Sequence, residues 1–292
     1  MARPARAATS VVLALLALGA TSPYGVAPAT PAASPTQVQP VRAALVGVRA
    51  SDPRRPVSMG RASSWTPMDA ASTKANPSRW DTCTPVVWRV DFTGLTHQHG
   101  RPALEVDRLR SAFATIGQES GVRFVYGGRA RLHPSADGSG GVDTSPGTDI
   151  AISYAAQRDR SGYRSPLFTG TYGVLGVGGA WSRRAATVGG TTGFRRSTGS
   201  LLMNALYTVH YQNPRAARRE HAAGDPLRSV YLHELGHVMG LDHVTHDRMQ
   251  IMYPQLQRDV PDRFGAGDLA GLHRMRTLPC FVPDAVPAPS AP

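Results

Sequence analysis

Lysine is nearly missing from this 292-residue chain: Lys74 stands alone among 32 basic residues, and the other 31 are arginine. That bias fits a compositional effect at least as well as a selected phosphate-binding face. The net charge of +12 also divides unevenly. Residues 1–80 carry nine basic and two acidic groups, whereas residues 81–292 carry 23 and 18. More than half of the excess therefore lies outside the folded body expected below. No basic ribbon interleaved with aromatic residues accompanies it, so nucleic-acid binding is excluded as the main function. Long apolar runs are missing too. The longest, Val11 to Ala20, is half the ~20 residues that a membrane-spanning helix needs. It follows Arg3 and Arg6 and precedes small residues, the pattern of a secretory signal peptide spanning 1–29. No membrane span remains once that segment is cleaved.

Cysteine is equally scarce. Cys83 and Cys280 stand near the two ends of the expected domain. In an exported chain two cysteines pair by default, and closing so long a loop contributes up to ~5 kcal/mol in the chain-entropy model. The competing reading makes Cys83 a zinc-blocking thiolate in a pro-region. The hydrophobic share of 41% is that of a chain able to build a packed core.

Residues 30–79 are rich in Pro, Ala and Ser and read as a linker or short propeptide. Residues 80–282 read as one folded domain, and 283–292 as a disordered tail. Within the domain, residues 85–92, 122–126, 148–154 and 201–207 have the composition of strands. Leu109, Phe113 and Ile116 lie at helical spacing within residues 104–118, which Gly121 ends. Residues 170–180 hold five glycines, too many for a regular strand interior, and suggest a turn or a close backbone approach over a cleft. Asp225-Pro226 is a helix start, with Asp as N-cap and Pro at the first helical position; this helix runs to Gly240. A last helix is expected from Asp268 to about Met275.

The chemistry concentrates in the helix behind Asp225, which reads His233-Glu234-Leu235-Gly236-His237, then Val238-Met239-Gly240-Leu241-Asp242-His243. Residues i and i+4 of a helix project ~40° apart, so His233 and His237 share a face and can hold one zinc ion. Glu234 reaches a metal-bound water without ligating the metal. His243 joins only if Gly240 takes a positive φ, ends the helix and turns the chain back. Chance placement of these five residues has a probability on the order of 10⁻⁵ in a chain with ten His and four Glu. His246 is the rival third ligand. His97 and His99 lie in what reads as a surface loop, with a second metal as the alternative. Asp137 to Asp143 is an acidic turn in which Ca²⁺ is a lesser reading beside simple solvation.

The segment from His233 to His243 resembles the metzincin zinc metallopeptidase signature, and Ile251-Met252-Tyr253-Pro254 is similar to the Met-turn of the matrixin-like branch. The resemblance implies an α+β domain with a twisted, mainly parallel sheet, an active-site helix, a backing helix and a C-terminal helix. It implies that His233, His237 and His243 are metal ligands for one catalytic Zn²⁺, that Glu234 is general base and acid, and that Met252 floors the site. Met249 fits that last role less well, since no Tyr-Pro follows it. The implied protein is a secreted, monomeric zinc endopeptidase acting on proteins or peptides through a metal-activated water. A zinc hydrolase of a non-peptide amide stays open, as does an exported basic binding protein with a degenerate site. No cysteine-switch motif appears in residues 21–80.

Overall fold

The computed structural model describes residues 43–46, 60–221, 224–259 and 262–283. The expected signal peptide at 1–29 and the disordered tail beyond Pro283 lie outside the described residues, as does most of 30–59.

Six strands form one sheet: β1 (Ala43–Val46), β2 (Val86–Val90), β3 (Phe124–Arg129), β4 (Ile150–Ala155), β5 (Val174–Ala186) and β6 (Thr192–Asn204). Their order is β1-β5-β6-β4-β2-β3. The pairings β6-β4, β4-β2 and β2-β3 are parallel, and β5 runs antiparallel to both neighbours. Among the described residues, six helices accompany the sheet: α1 (Thr93–His97), α2 (Pro102–Ser120), α3 (Ala205–Tyr211), α4 (Pro214–Glu220), α5 (Pro226–Met239) and α6 (Ala266–Arg276). The mainly parallel sheet, active-site helix α5, backing helix α2 and C-terminal helix α6 are the parts that the sequence resemblance implies.

Strand β4 shows why the sheet is central. All six of its residues are buried. Ile150, Ile152 and Tyr154 point into the main core, which α2 and α5 complete. Ala151 and Ala155 point the other way, into a second cluster with Leu132, Val142, Phe168, Val177 and Leu202. A strand covered on both faces loses the polar alternation of a half-exposed one. Under α2, Trp88 stacks on Phe113 with ring centroids 4.5 Å apart.

Two expectations need correction. Residues 174–180 are strand, not turn, and continue into a long hairpin with β6. The turn lies just before them, where Gly170 and Gly173 have positive φ. The strand expected at 201–207 is the end of β6 followed by the start of α3, and Asn204 divides them. Its side chain accepts from the N–H groups of Leu206 and Tyr207, as an N-cap does.

Residues 60–79 pack on the domain. Trp65 and Met68 are buried. The Met68 N–H donates to the Gly240 carbonyl at 2.8 Å, and the Asp242 N–H donates to that of Thr66 at 2.8 Å. Asp69 meets the fully buried Arg196 at 3.1 Å. A linker makes no such contacts. Cys83 and Cys280 are joined, with Cα atoms 5.8 Å apart; Cys83 is thus not a free thiolate.

Candidate active site

Helix α5 begins and ends as its sequence dictates. The Asp225 carboxylate accepts the Leu227 N–H at 3.0 Å, and Pro226 needs no partner for the N–H it lacks. At the far end Gly240 has φ +115°, and its N–H reaches the carbonyls of Gly236 and His237. A Cβ there would overlap the carbonyl oxygen of Ser78, so both the backbone angle and the neighbour demand glycine. This turn brings His243 back to the helix.

The outcome is a triad. The Nε2 atoms of His233 and His237 are 3.1 Å apart, and those of His233 and His243 are 3.2 Å apart. Nitrogens bound to one tetrahedral zinc at ~2.05 Å stand about 3.3 Å from each other, so the spacing fits the ion. Orientation fits as well. His233 Nδ1 faces the Ile251 carbonyl at 2.6 Å and His237 Nδ1 faces that of Leu241 at 2.8 Å. A carbonyl only accepts, so each Nδ1 carries the proton and each Nε2 keeps its lone pair for a metal. Burial favours the neutral ring as well, holding His233 down to about 3 and lowering His237 and His243. His246 is exposed and does not join the group.

Glu234 is fully buried, and neither carboxylate oxygen has a hydrogen-bond partner of ordinary geometry. Burial pushes its carboxyl well above the usual range, only partly offset by the Gly178 N–H. Strand β5 makes the space around it. A Cβ on Gly176 would stand 2.9 Å from the Glu234 Cγ, and one on Gly178 would overlap its backbone carbonyl. The close approach expected of the glycine run is thus an approach to Glu234.

Met252 is buried directly below the helix. A Cβ on Gly236 would overlap its sulfur, so the glycine between the two histidines makes room for it. Two side chains that sequence reasoning missed hold this turn. The Asp268 carboxylate accepts the N–H groups of Ile251 (2.6 Å), Met252 (3.4 Å) and Gly265 (2.9 Å). Gln250 replies, its Oε1 accepting from the N–H groups of Gly267 and Asp268. Helix α6 starts at Ala266 rather than Asp268, which puts Asp268 in its first turn.

Arg196 was also missed. Its guanidinium lies beneath the end of α5 and donates to the carbonyls of His237 (3.2 Å) and Val238 (3.4 Å), while Asp69 neutralises it. Positive charge is favoured at a helix C-terminus. The remaining candidates do not converge on the site. His97 pairs instead with Asp159 at 3.2 Å, and His99 is an exposed residue at φ 61°. Asp137 and Asp143 accept from Ser139 and Ser135 within their own turn.

A search of curated proteins finds no match to this chain. Residues 141–275 match the matrixin family model, from the loop before β4 through nearly all of α6. That stretch is thus similar to a matrixin-type zinc metalloendopeptidase domain, and His233, His237 and His243 within it fit a catalytic zinc site.

Proposed function

We propose that the protein is an exported, monomeric endopeptidase that hydrolyses peptide bonds with Glu234 as general base and then general acid. The observation that carries this reading is the buried Glu234 carboxylate, with no partner but the Gly178 N–H, on the residue next to the first of three converging histidines. Zn²⁺ held by His233, His237 and His243 supplies Lewis acidity toward water and a peptide carbonyl. Glu234 takes a proton from the attacking water and passes it to the departing amine. Its desolvation suits the task, because a carboxyl raised above its usual range holds a proton more readily than an exposed one and can both accept and release it. Met252 keeps the floor apolar, and the Nδ1 hydrogen bonds hold the rings in place. The outer edge of β5 at 174–178, packed beside Glu234 and paired with β1, is the edge that an extended peptide would use in place of β1. Residues 1–29 direct export and are removed.

The test compares casein hydrolysis by zinc-loaded protein and its Glu234→Ala variant, with bound zinc measured in both. Loss of general-base catalysis lowers the rate by ~10²–10⁴ while zinc content is unchanged. Equal hydrolysis by the two proteins would refute the role of Glu234. Silence in both, with zinc bound, would favour a non-peptide amide substrate or a binding protein.

A further inference from the structure

The two faces of β5 differ in kind. Gly178 and Ala180 face α5, Gly178 against the Glu234 backbone and Ala180 within the main core. Val177, Gly179 and Trp181 alternate with them and lie on the opposite face, where Val177 belongs to the second cluster. In β6 the register sets Ser200 opposite Gly179 and Thr198 opposite Trp181. Over these residues runs the loop 135–142, closed at its base where the Ser135 N–H donates to the Gly141 carbonyl at 3.0 Å. Gly140 holds the loop against the sheet, since a Cβ there would stand 3.0 Å from the Val177 Cγ1. Loop and sheet enclose a cavity of about 320 Å³. That is the low end of the ~300–1,000 Å³ found for small-ligand sites. Gly179 has no side chain to fill it.

The lining is polar but almost without charge. Among the described residues Asp137 is its one charged side chain, although the whole chain carries +12, so nothing in the wall attracts an anion. The hydroxyls of Ser135, Ser139, Thr198 and Ser200 line it, together with Trp181, which is 37% exposed. Neither the Trp181 indole N–H nor the hydroxyls of Thr198 and Ser200 have a hydrogen-bond partner in the protein. An indole face takes up C–H groups, while free hydroxyls and a carboxylate take up O–H groups. A sugar ring carries both kinds of group, rigidly and without charge. We propose that this cavity is a carbohydrate site, which holds one unit of a neutral oligosaccharide with its C–H face on Trp181 and its hydroxyls toward Thr198, Ser200 and Asp137. The site lies on the far face of the strand that packs on Glu234, so a glycoprotein held here by its glycan keeps its polypeptide close to the active-site helix.

The experiment titrates the zinc-loaded full chain with maltohexaose, mannohexaose and N-acetylchitohexaose by calorimetry, while tryptophan emission is followed. Trp65, Trp80 and Trp88 are buried, so a change in emission reports on Trp181. The expected result is that at least one hexaose binds, with a Kd on the order of 1 mM or below, and shifts the emission. Trp181→Ala weakens that binding about tenfold or more, at unchanged zinc content and melting temperature. Thr198→Val combined with Ser200→Ala keeps the indole and weakens binding by about the same factor. Should Trp181→Ala lower the melting temperature, the paired variant alone decides. Ribonuclease B and its unglycosylated form then separate two sources of the sugar. Binding of the glycosylated form alone assigns the site to glycoproteins, and binding of neither, with a free hexaose bound, assigns it to polysaccharide chains. No binding of any hexaose at tens of millimolar would overturn the inference, as would wild-type affinity in either folded variant. None of these readings needs hydrolysis, so a failure of the peptidase reading would leave the site standing.

Discussion

A methyl group at Gly178 would stand 2.8 Å from the carbonyl carbon of Glu234 and overlap its oxygen. Backbone cannot swing away as a flexible side chain can, so either β5 or α5 has to move. Gly178→Ala is therefore expected to cost about 1–3 kcal/mol of stability, the range for overpacking a tight contact. Chemical denaturation of the zinc-loaded protein measures it, and a loss below ~0.5 kcal/mol would show that the two elements slide apart freely. At this scale the sequence told much about the metal and little about its supports. The three histidines and Glu234 lie within eleven residues, so helix geometry alone places most of the triad. Arg196 and Asp69 are 127 residues apart, and nothing local in either segment announces their pairing. Gly236 was visible as a residue, but its purpose was not, because Met252 meets it only in the folded chain.

Elements were legible where caps and periodicity agree. Helix α5 has an Asp-Pro start and a glycine stop, and its observed bounds follow them. In β5 the glycine content argued against a strand, since glycine weakens strands. What overrides propensity here is the helix packed against the strand, which leaves no room for side chains at Gly176 and Gly178. The joint between the turn at 251–252 and α6 makes a further prediction. Burial raises the Asp268 carboxyl to about 7, against the pull of its backbone hydrogen bonds. A carboxyl whose folded pKa exceeds its unfolded value of 3.8 stabilises fully below the latter. That contribution is lost as pH rises from about 4 through 7. Asp268→Asn does not titrate, so the difference in melting temperature between wild type and variant should shift steadily over that window. A difference that stays flat from pH 4 to 8 would show that Asp268 keeps an ordinary pKa. Because its carboxylate holds the N–H of Ile251, whose carbonyl faces His233, the variant should also loosen the site's floor.

Across the whole molecule, the decisive feature is how far the packed structure extends before the first central strand. Composition marked residues 30–79 as linker or propeptide, since neither periodicity nor a charge pattern revealed that Trp65, Met68 and Asp69 have partners in the domain. A chain beginning at Trp80 loses two buried apolar side chains, each contributing about 1.5–3 kcal/mol. It also strands Arg196 as a buried charge, at a further cost of about 3–5 kcal/mol. The Trp80 form should therefore unfold at markedly lower temperature than one beginning at Gly60. Equal melting temperatures would mean that the segment is a removable attachment. The mainly parallel sheet, by contrast, was expected, because the motif from His233 to His243 resembles a family whose domain is built on one.

The bond between Cys83 and Cys280 has a further meaning should a protease meet the molecule. Covalently, everything from 83 to 280 is a ring, with the two ends of the chain hanging from one point on it. A single cut in any loop of that ring, such as the exposed tip around Val188, opens the ring but releases nothing. A nicked molecule keeps both pieces at their original addresses, and its zinc ligands still share one frame. Damage that would split an unbridged enzyme into fragments leaves this one a single object until a second cut, or a reductant, arrives.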